Sequence, residues 1–352
     1  MSILPTTTKQ WVITGFEGPS SLEYTEAPIP PLGDNDILVQ IRGASLNPRD
    51  LLITQGKYPW PTKETLIPGS DGAGVILAAG PAVTRFAPGD KVITMLNQQH
   101  ISGSVTVEDL KYSTGASVDG VFRQYGVFNE QALVRMPETL GFVEAATLSC
   151  AGVTAWNALF GGRSGVVREG AWVLTQGTGA VSLFALQLAK IFNAKVIATT
   201  SSDSKVPLLK ALGADHVINY SETPAWGKEA KRLTGGVGVD LVVEVAGPTT
   251  LAQSAEALKL DGQITVVGFI GGQGSGEEVK VPSLLETWLN LYTARGVWVG
   301  SRKQLEELVS VVEEKGLKPV LDGKAFKLRE LKEAFELLES GRNLGKIGIQ
   351  ID

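Results

Sequence analysis

The stretch that most limits what this chain can fold into runs from Ala171 to Thr200. AWVLTQ is a short apolar run of strand type. Gly177-Thr178-Gly179-Ala180-Val181-Ser182 follows it. Val181, Phe184, Ala185, Leu188 and Phe192 then recur at helical spacing before a second strand run, KVIATT. A strand, a glycine turn, a helix and a strand in so short a span predict a parallel strand pair with its crossover helix packed on one face. HVINY, DLVVEVAG and QITVVGF continue the alternation, with helical segments such as SKVPLLKALGA, closed by Gly213, between several of them. The predicted class is α/β, a doubly wound parallel sheet with helices on both faces.

The turn has the pattern G-x-G-x-x-S. Glycine at 177 permits a tight turn, and glycine at 179 lets backbone approach a pyrophosphate. The helix beyond offers unpaired N–H groups and a positive dipole end to the same anion. Ser182 replaces the third glycine of the fingerprint and is still small. Gly177, Thr178, Gly179, Ala180 and Val181 are therefore expected to hold a dinucleotide, with a plain strand-to-helix turn as the alternative. About twenty residues on, an acidic residue would bind an adenosine ribose hydroxyl. KVIATT runs instead into Ser201-Ser202-Asp203-Ser204-Lys205, with no carboxylate at its tip. Ser201, Ser202 and Lys205 suit a 2′-phosphate, which predicts NADPH. Asp203 opposes that reading, and the serines would equally cap the next helix.

The first 130 or so residues have another rhythm. QWVITGF, DILVQIRGASLN and GAGVILAAG are β-rich runs bounded by Gly and Pro, and a turn at Pro88-Gly89-Asp90 precedes a further strand. This predicts a folded-over β domain. Residues 97 to 119 are polar and weakly patterned, hence loop. Residues 143 to 160, VEAATLSCAGVTAWNALF, look helical. Near the end, SRKQLEELVSVVEEKG and LRELKEAFELLESG read as amphipathic helices before a closing strand, KIGIQID. A length of 352 residues is long for one core, so two domains are expected.

Composition removes several classes of function. Net charge is −5, which points away from nucleic acid or an anionic membrane as partner. No apolar run approaches the roughly 20 residues of a membrane span, and the first residues lack a basic segment followed by an apolar one, so a cytoplasmic protein is expected. Cys150 is the single cysteine and His100 and His216 are the two histidines, too few for a thiolate or imidazole zinc cage. Cys150 could be a nucleophile, a ligand or a small buried residue. Without a histidine beside it in sequence, the buried residue is the expectation.

GTGAVSLFALQLAK, LKALGADHVINY, VDLVVEVAG and GKIGI, with SLNPRDLL, IPGSDGAGVI and FAPGDKV upstream, resemble the medium-chain dehydrogenase/reductase superfamily over nearly the whole chain. The likeness is strongest to its zinc-free branch of quinone oxidoreductases, enoyl reductases and alcohol dehydrogenase-like proteins. It implies a GroES-like, partly open β-barrel domain from residues 1–137 and 291–352, with a Rossmann dinucleotide-binding domain at 138–290. It also implies where zinc-dependent relatives hold their catalytic metal. Those three positions are Asn47, Ser70 and Cys150 here, a poor donor set, so no metal is expected. Asn47 and Thr154 would border the nicotinamide, although Asn47 could as well be a turn residue before Pro48. Tyr220 would lie near the adenosine 2′-phosphate, and Gly268 and Phe269 near the nicotinamide ribose or carboxamide. TARGVWVG resembles the strand through which relatives form homodimers.

The chemistry expected is hydride transfer from NADPH to an activated C=C bond or a quinone, in a small, apolar or conjugated substrate. Alcohol oxidation is harder without a metal to lower the alcohol pKa. Asn47, Asp50, Ser70 and Thr154 are the catalytic candidates. Tyr58, Trp60, Cys150, Trp288 and Tyr292 are candidate pocket walls, and each aromatic is also an ordinary packing residue. A cofactor-binding fold without net redox turnover, a redox-neutral biosynthetic catalyst or a binding protein, is the rival reading, because function resides in the site; a zinc-dependent alcohol dehydrogenase is a third, disfavoured by Asn47 and Ser70.

Overall fold

The computed structural model describes residues 4–162, 164–268, 281–323 and 325–352. They form two units, Met1–Val153 with Gly300–Asp352, and Thr154–Val299. In the first unit β1 (Thr7–Ile13) and β2 (Leu22–Pro28) pair antiparallel. β3 (Asp36–Leu46), β4 (Asp71–Ala79), β5 (Lys91–Thr94), β6 (Tyr125–Asn129) and β7 (Leu133–Arg135) follow. The second unit holds β8 (Trp172–Gln176), β9 (Lys195–Thr200), β10 (His216–Asn219), β11 (Val239–Glu244), β12 (Leu258–Val266) and β13 (Thr293–Gly296). The chain then returns to the first unit with β14 (Phe326–Lys327) and β15 (Ile347–Gln350).

The first unit is built on a sheet in the order β14-β15-β3-β4-β5-β7, with β6 also paired to β3. Its long central strand, DILVQIRGASL, is rich in the β-branched and apolar residues that a mostly buried strand needs. β15 runs antiparallel to β3, from Ile347 opposite Leu46 to Gln350 opposite Gly43, so the C-terminal segment completes the GroES-like domain. A Cβ on Gly43 would lie 2.4 Å from the Phe142 backbone, so glycine there lets the helix Phe142–Ala146 sit directly on the sheet. Ile13, Ile37, Ile41, Phe122, Phe335 and Ile349 are buried in its core. Each such side chain contributes roughly 1.5–3 kcal/mol by leaving water.

The second unit is a six-stranded parallel sheet in the order β10-β9-β8-β11-β12-β13. The chain winds outward from β8 in one direction and from β11 in the other, the doubly wound Rossmann arrangement. Leu174, Ile197, Val242, Ile264 and Trp226 are buried in its core. Among the described residues no helix is long and apolar enough to cross a membrane.

Three features differ from the sequence expectation. The run 143–160 is not one helix. It is the α-helix Phe142–Ala146, a π-helical turn Leu148–Gly152, and the α-helix Val153–Phe160. In the π-turn the Gly152 N–H donates to the Thr147 carbonyl over 3.2 Å, five residues back. Apolar periodicity cannot reveal such a widening. The polar segment 97–119 has structure of its own, with Asn97 bridged to Ser113 and a 3₁₀ turn at Asp109–Tyr112. Finally, the units divide at 153/154 and 299/300 rather than at 137/138 and 290/291. Phe142–Ala146 packs on β3 and β4, and the helix Arg302–Lys315 packs on β7 and the π-turn, which keeps both with the first unit.

Candidate functional site

β3 ends at Leu46, and Asn47 turns the chain into the helix Pro48–Thr54. Proline in the first turn is suited to that start, and the Asp50 carboxylate accepts the Asn47 N–H over 2.8 Å, a cap that spares one unpaired donor. The Asn47 side chain is thereby left for other partners. Its Oδ1 accepts from Lys346 Nζ over 2.7 Å, and its Nδ2 donates to Ser70 Oγ over 3.2 Å. Asn47 is thus both the turn residue and a member of a buried polar cluster.

Lys346 is the centre of that cluster. It is only 2% exposed, and its ammonium donates to Leu46 O (2.7 Å), Asn47 Oδ1 (2.7 Å) and Asp71 Oδ2 (2.8 Å). All three of its N–H bonds are used. The Asp71 carboxylate also accepts from Ser45 Oγ (2.8 Å) and Ser70 Oγ (3.2 Å). On the other side, Arg49 donates to Asp50 Oδ1 (3.5 Å), the Thr114 carbonyl (3.0 Å), Ser113 Oγ (3.1 Å) and the Tyr58 hydroxyl (3.4 Å). Its guanidinium stacks 5.0 Å from the centre of the Tyr58 ring. Two cations and two carboxylates balance inside the first unit.

Cys150 lies within reach of these charges, in the π-turn. Burial, reinforced by the Asp71 carboxylate, pushes its thiol up to about 12 although part of the residue stays accessible. It is a thiol at neutral pH, not a thiolate. Asp50 is pushed up to about 6, first by burial and then by Asp71, against the pull of Arg49. An acid whose pKa rises on folding stabilises the fold below its unfolded pKa, near 3.8, and that stability is lost as pH rises through about 6. Asp50→Asn should therefore flatten the fall in stability between about pH 4 and pH 6, measured by denaturant unfolding at several pH values. An unchanged slope would contradict this placement of Asp50.

In the second unit the glycine turn follows β8. Gly177 has φ +71°, a left-handed conformation that other residues adopt only with strain, and its N–H donates to Thr199 O over 2.9 Å. Gly179 caps the helix Ala180–Ile191 in an ordinary extended conformation. A Cβ built on either glycine meets no atom within 4 Å, so the helix start opens onto free space. Thr178, Ala180 and Val181 complete the turn. Ser182 is buried and donates to the Gln176 carbonyl over 2.6 Å, so the missing glycine is replaced by a helix-to-strand hydrogen bond.

β9 delivers Ser201, Ser202 and Lys205 to the loop beyond its end. Ser202 caps the 3₁₀ turn Asp203–Lys205, accepting from Ser204 N, so capping does take up one serine. Asp203 accepts from Asn219 Nδ2 over 2.9 Å, and Lys205 has no ion pair among the described residues. Tyr220 follows β10, 42% exposed, with its N–H on Thr200 O. Gly268 follows β12, where an added Cβ would meet Val245 O at 3.3 Å. Phe269 lies outside the described residues.

Asn47, Asp50, Ser70 and Cys150 thus come together in the first unit, with Tyr58 attached through Arg49. Thr154 is the first residue of the second unit, nearly buried in the helix Val153–Phe160. Trp60 is 40% exposed. Trp288 is 71% exposed on the short helix Leu284–Leu289, and Tyr292 packs partly on the core of its own sheet. Sequence reasoning missed Lys346 and Arg49, and left Asp71 without a role. The one available signal for Lys346 was a lone cation at the head of the apolar run IGIQI. Among the described residues no group of three His, Cys, Asp or Glu could hold a metal ion.

Residues 33–138 match the model of the alcohol dehydrogenase GroES-like domain, and residues 180–314 that of the zinc-binding dehydrogenase. A zinc-type alcohol dehydrogenase-like protein of Schizosaccharomyces pombe is 42% identical over 342 residues, 97% of each chain. Among solved structures, a candidate alcohol dehydrogenase from Sinorhizobium meliloti 1021 is 37% identical, with a TM-score of 0.89 over 99% of this chain and 100% of that one. An NAD-dependent alcohol dehydrogenase is 33% identical, with a TM-score of 0.85 over 98% and 100%.

Proposed function

Because this chain belongs to the medium-chain dehydrogenase/reductase superfamily, among its alcohol dehydrogenase-like oxidoreductases, we propose that it works without a metal and transfers hydride from NADPH to an activated C=C bond or a quinone. The Lys346 ammonium bound to Asn47 Oδ1 and Asp71 Oδ2 is the observation that carries this reading. The family model bears the name of zinc, but the residues at the metal positions do not suit it. Asn47 offers an amide oxygen already given to a cation, Ser70 a hydroxyl, and Cys150 a protonated thiol. A dication would have to enter a balanced cluster and displace the ammonium, while catalytic zinc needs three good donors.

The bound dinucleotide supplies the hydride; everything else falls to this chain. Open backbone at Gly177 and Gly179 would take the pyrophosphate, and the N-terminus of Ala180–Ile191 its charge. Ser201 and Lys205 would take a 2′-phosphate, and Asn219 holds the Asp203 carboxylate. That supports NADPH, although one relative is named for NAD. The second hydrogen of Asn47 Nδ2 has no partner among the described residues and is available to an acceptor oxygen. So modest a donor suits a conjugated carbonyl or quinone: hydride adds at a conjugated carbon, the negative charge gathers on the oxygen that Nδ2 would hold, and a proton from solvent completes the reduction. Leu284, Leu285, Trp288 and Leu289 stand exposed on a helix before the edge strand β13, which supports homodimer formation there. The lone cysteine supports a cytoplasmic setting.

Titration with NADPH and NADH, then a panel of enones, quinones and aldehydes followed at the NADPH absorbance, tests the reading. Tighter NADPH binding, oxidation by an enone or quinone, and less than about a tenth of an equivalent of zinc are expected. One equivalent of zinc with oxidation of simple alcohols would overturn it. Cys150→Ala should leave turnover within about tenfold, since neither a covalent nor a metal role is assigned to the thiol. A loss of several orders of magnitude in a folded variant would reverse that assignment.

A further inference from the structure

Among the described residues, the second unit buries a carboxylate with no cation against it. Glu244, the last residue of β11, is fully buried. Its Oε1 accepts from Ala246 N (3.0 Å), Gly247 N (2.9 Å) and Thr250 Oγ1 (2.6 Å). Its Oε2 accepts from Ser254 Oγ (2.5 Å) and Gln176 Nε2 (2.7 Å). Among the described residues no lysine or arginine pairs with it. Five donors converge on two oxygens, an arrangement that holds an anion by dipoles alone.

Gln176 carries the connection further. It ends β8, one residue before Gly177. Its Oε1 accepts from Val245 N (3.0 Å) and Ala246 N (3.3 Å), and its carbonyl accepts from Ser182 Oγ. One carboxylate therefore ties the ends of β8 and β11, the loop 245–250 and, through Gln176, the glycine turn. β8 and β11 are the neighbours at which the strand order reverses, and ligands of doubly wound sheets bind outside the carboxyl ends of the strands at that point. Burying an anion without a counter-ion costs much more than burying a neutral group of the same shape. Packing alone does not call for the charge.

We propose that Glu244 is a positioning residue of the dinucleotide site and that its charge biases the site toward the oxidised cofactor. The nicotinamide ring carries a positive charge only when oxidised. A buried anion at the strand-order reversal therefore lowers the free energy of the oxidised form relative to the reduced one. The inference holds for phosphorylated and unphosphorylated dinucleotide alike.

The test is titration of wild-type protein and Glu244→Gln with the oxidised and the reduced dinucleotide, without substrate. Affinity for the oxidised form should fall about tenfold more than affinity for the reduced form. Equal losses for both forms would show a packing role only and overturn the proposal, as would no loss. Should Glu244→Gln fail to fold by thermal melting, Glu244→Met combined with Thr250→Val and Ser254→Ala removes the charge together with the two hydroxyl donors it would strand. The same roughly tenfold excess loss for the oxidised form is then expected, and equal losses or no loss would overturn the proposal.

Discussion

Gly179→Leu should weaken dinucleotide binding by at least about a hundredfold, roughly 2.7 kcal/mol, while the melting temperature stays within about 2 °C of wild type. The reason is local. Gly179 has ordinary dihedral angles and nothing within 4 Å of an added Cβ, so the protein itself has room for a side chain. That room is the space in front of the first N–H groups of Ala180–Ile191, where the proposed pyrophosphate would come close. Gly177 makes the contrast. Its φ of +71° strains any other residue, so a substitution there mixes loss of fold with loss of ligand. Cofactor titration with a parallel melt separates the two. Unchanged affinity in Gly179→Leu would sink the assignment of this turn.

Lys346→Met should destabilise the protein by about 3–5 kcal/mol, a fall of about 10 °C in melting temperature. Methionine nearly matches the stem of lysine, so the packing cost is small. The loss comes from what stays behind: a buried Asp71 carboxylate without its cation, and unpaired oxygens on Leu46 and Asn47. Adding Asp71→Asn should recover part of the loss, because it removes the stranded charge, so the two changes will not add. Denaturant unfolding of the four proteins measures the coupling. A Lys346→Met variant as stable as wild type would show that the ammonium does not hold this cluster together.

How much of this was legible in the sequence follows from the range of the interactions. The parallel sheet and its glycine turn were readable because strand, turn and helix lie within thirty residues and each has its own period. Gly177 to Val181, the residues proposed to hold the cofactor, belong to that local pattern. The broken helix 142–160 was not readable, since a π-turn keeps the apolar spacing of an α-helix closely enough to hide one extra residue.

The sequence by itself determined the α/β class, the position of the glycine turn and the scarcity of metal donors, because these depend on residue type and short-range spacing. Only the tertiary structure decided what occupies the donor positions. Lys346 meets Asn47 across 299 residues of chain, and it does so because β15 pairs with β3 in the register that sets Ile347 opposite Leu46. A slip of one residue would turn that side chain to the other face of the sheet. Glu244 and Gln176, 68 residues apart, depend likewise on adjacent strands. Register is a property of two strands together, settled by burial on both, and neither segment records it alone.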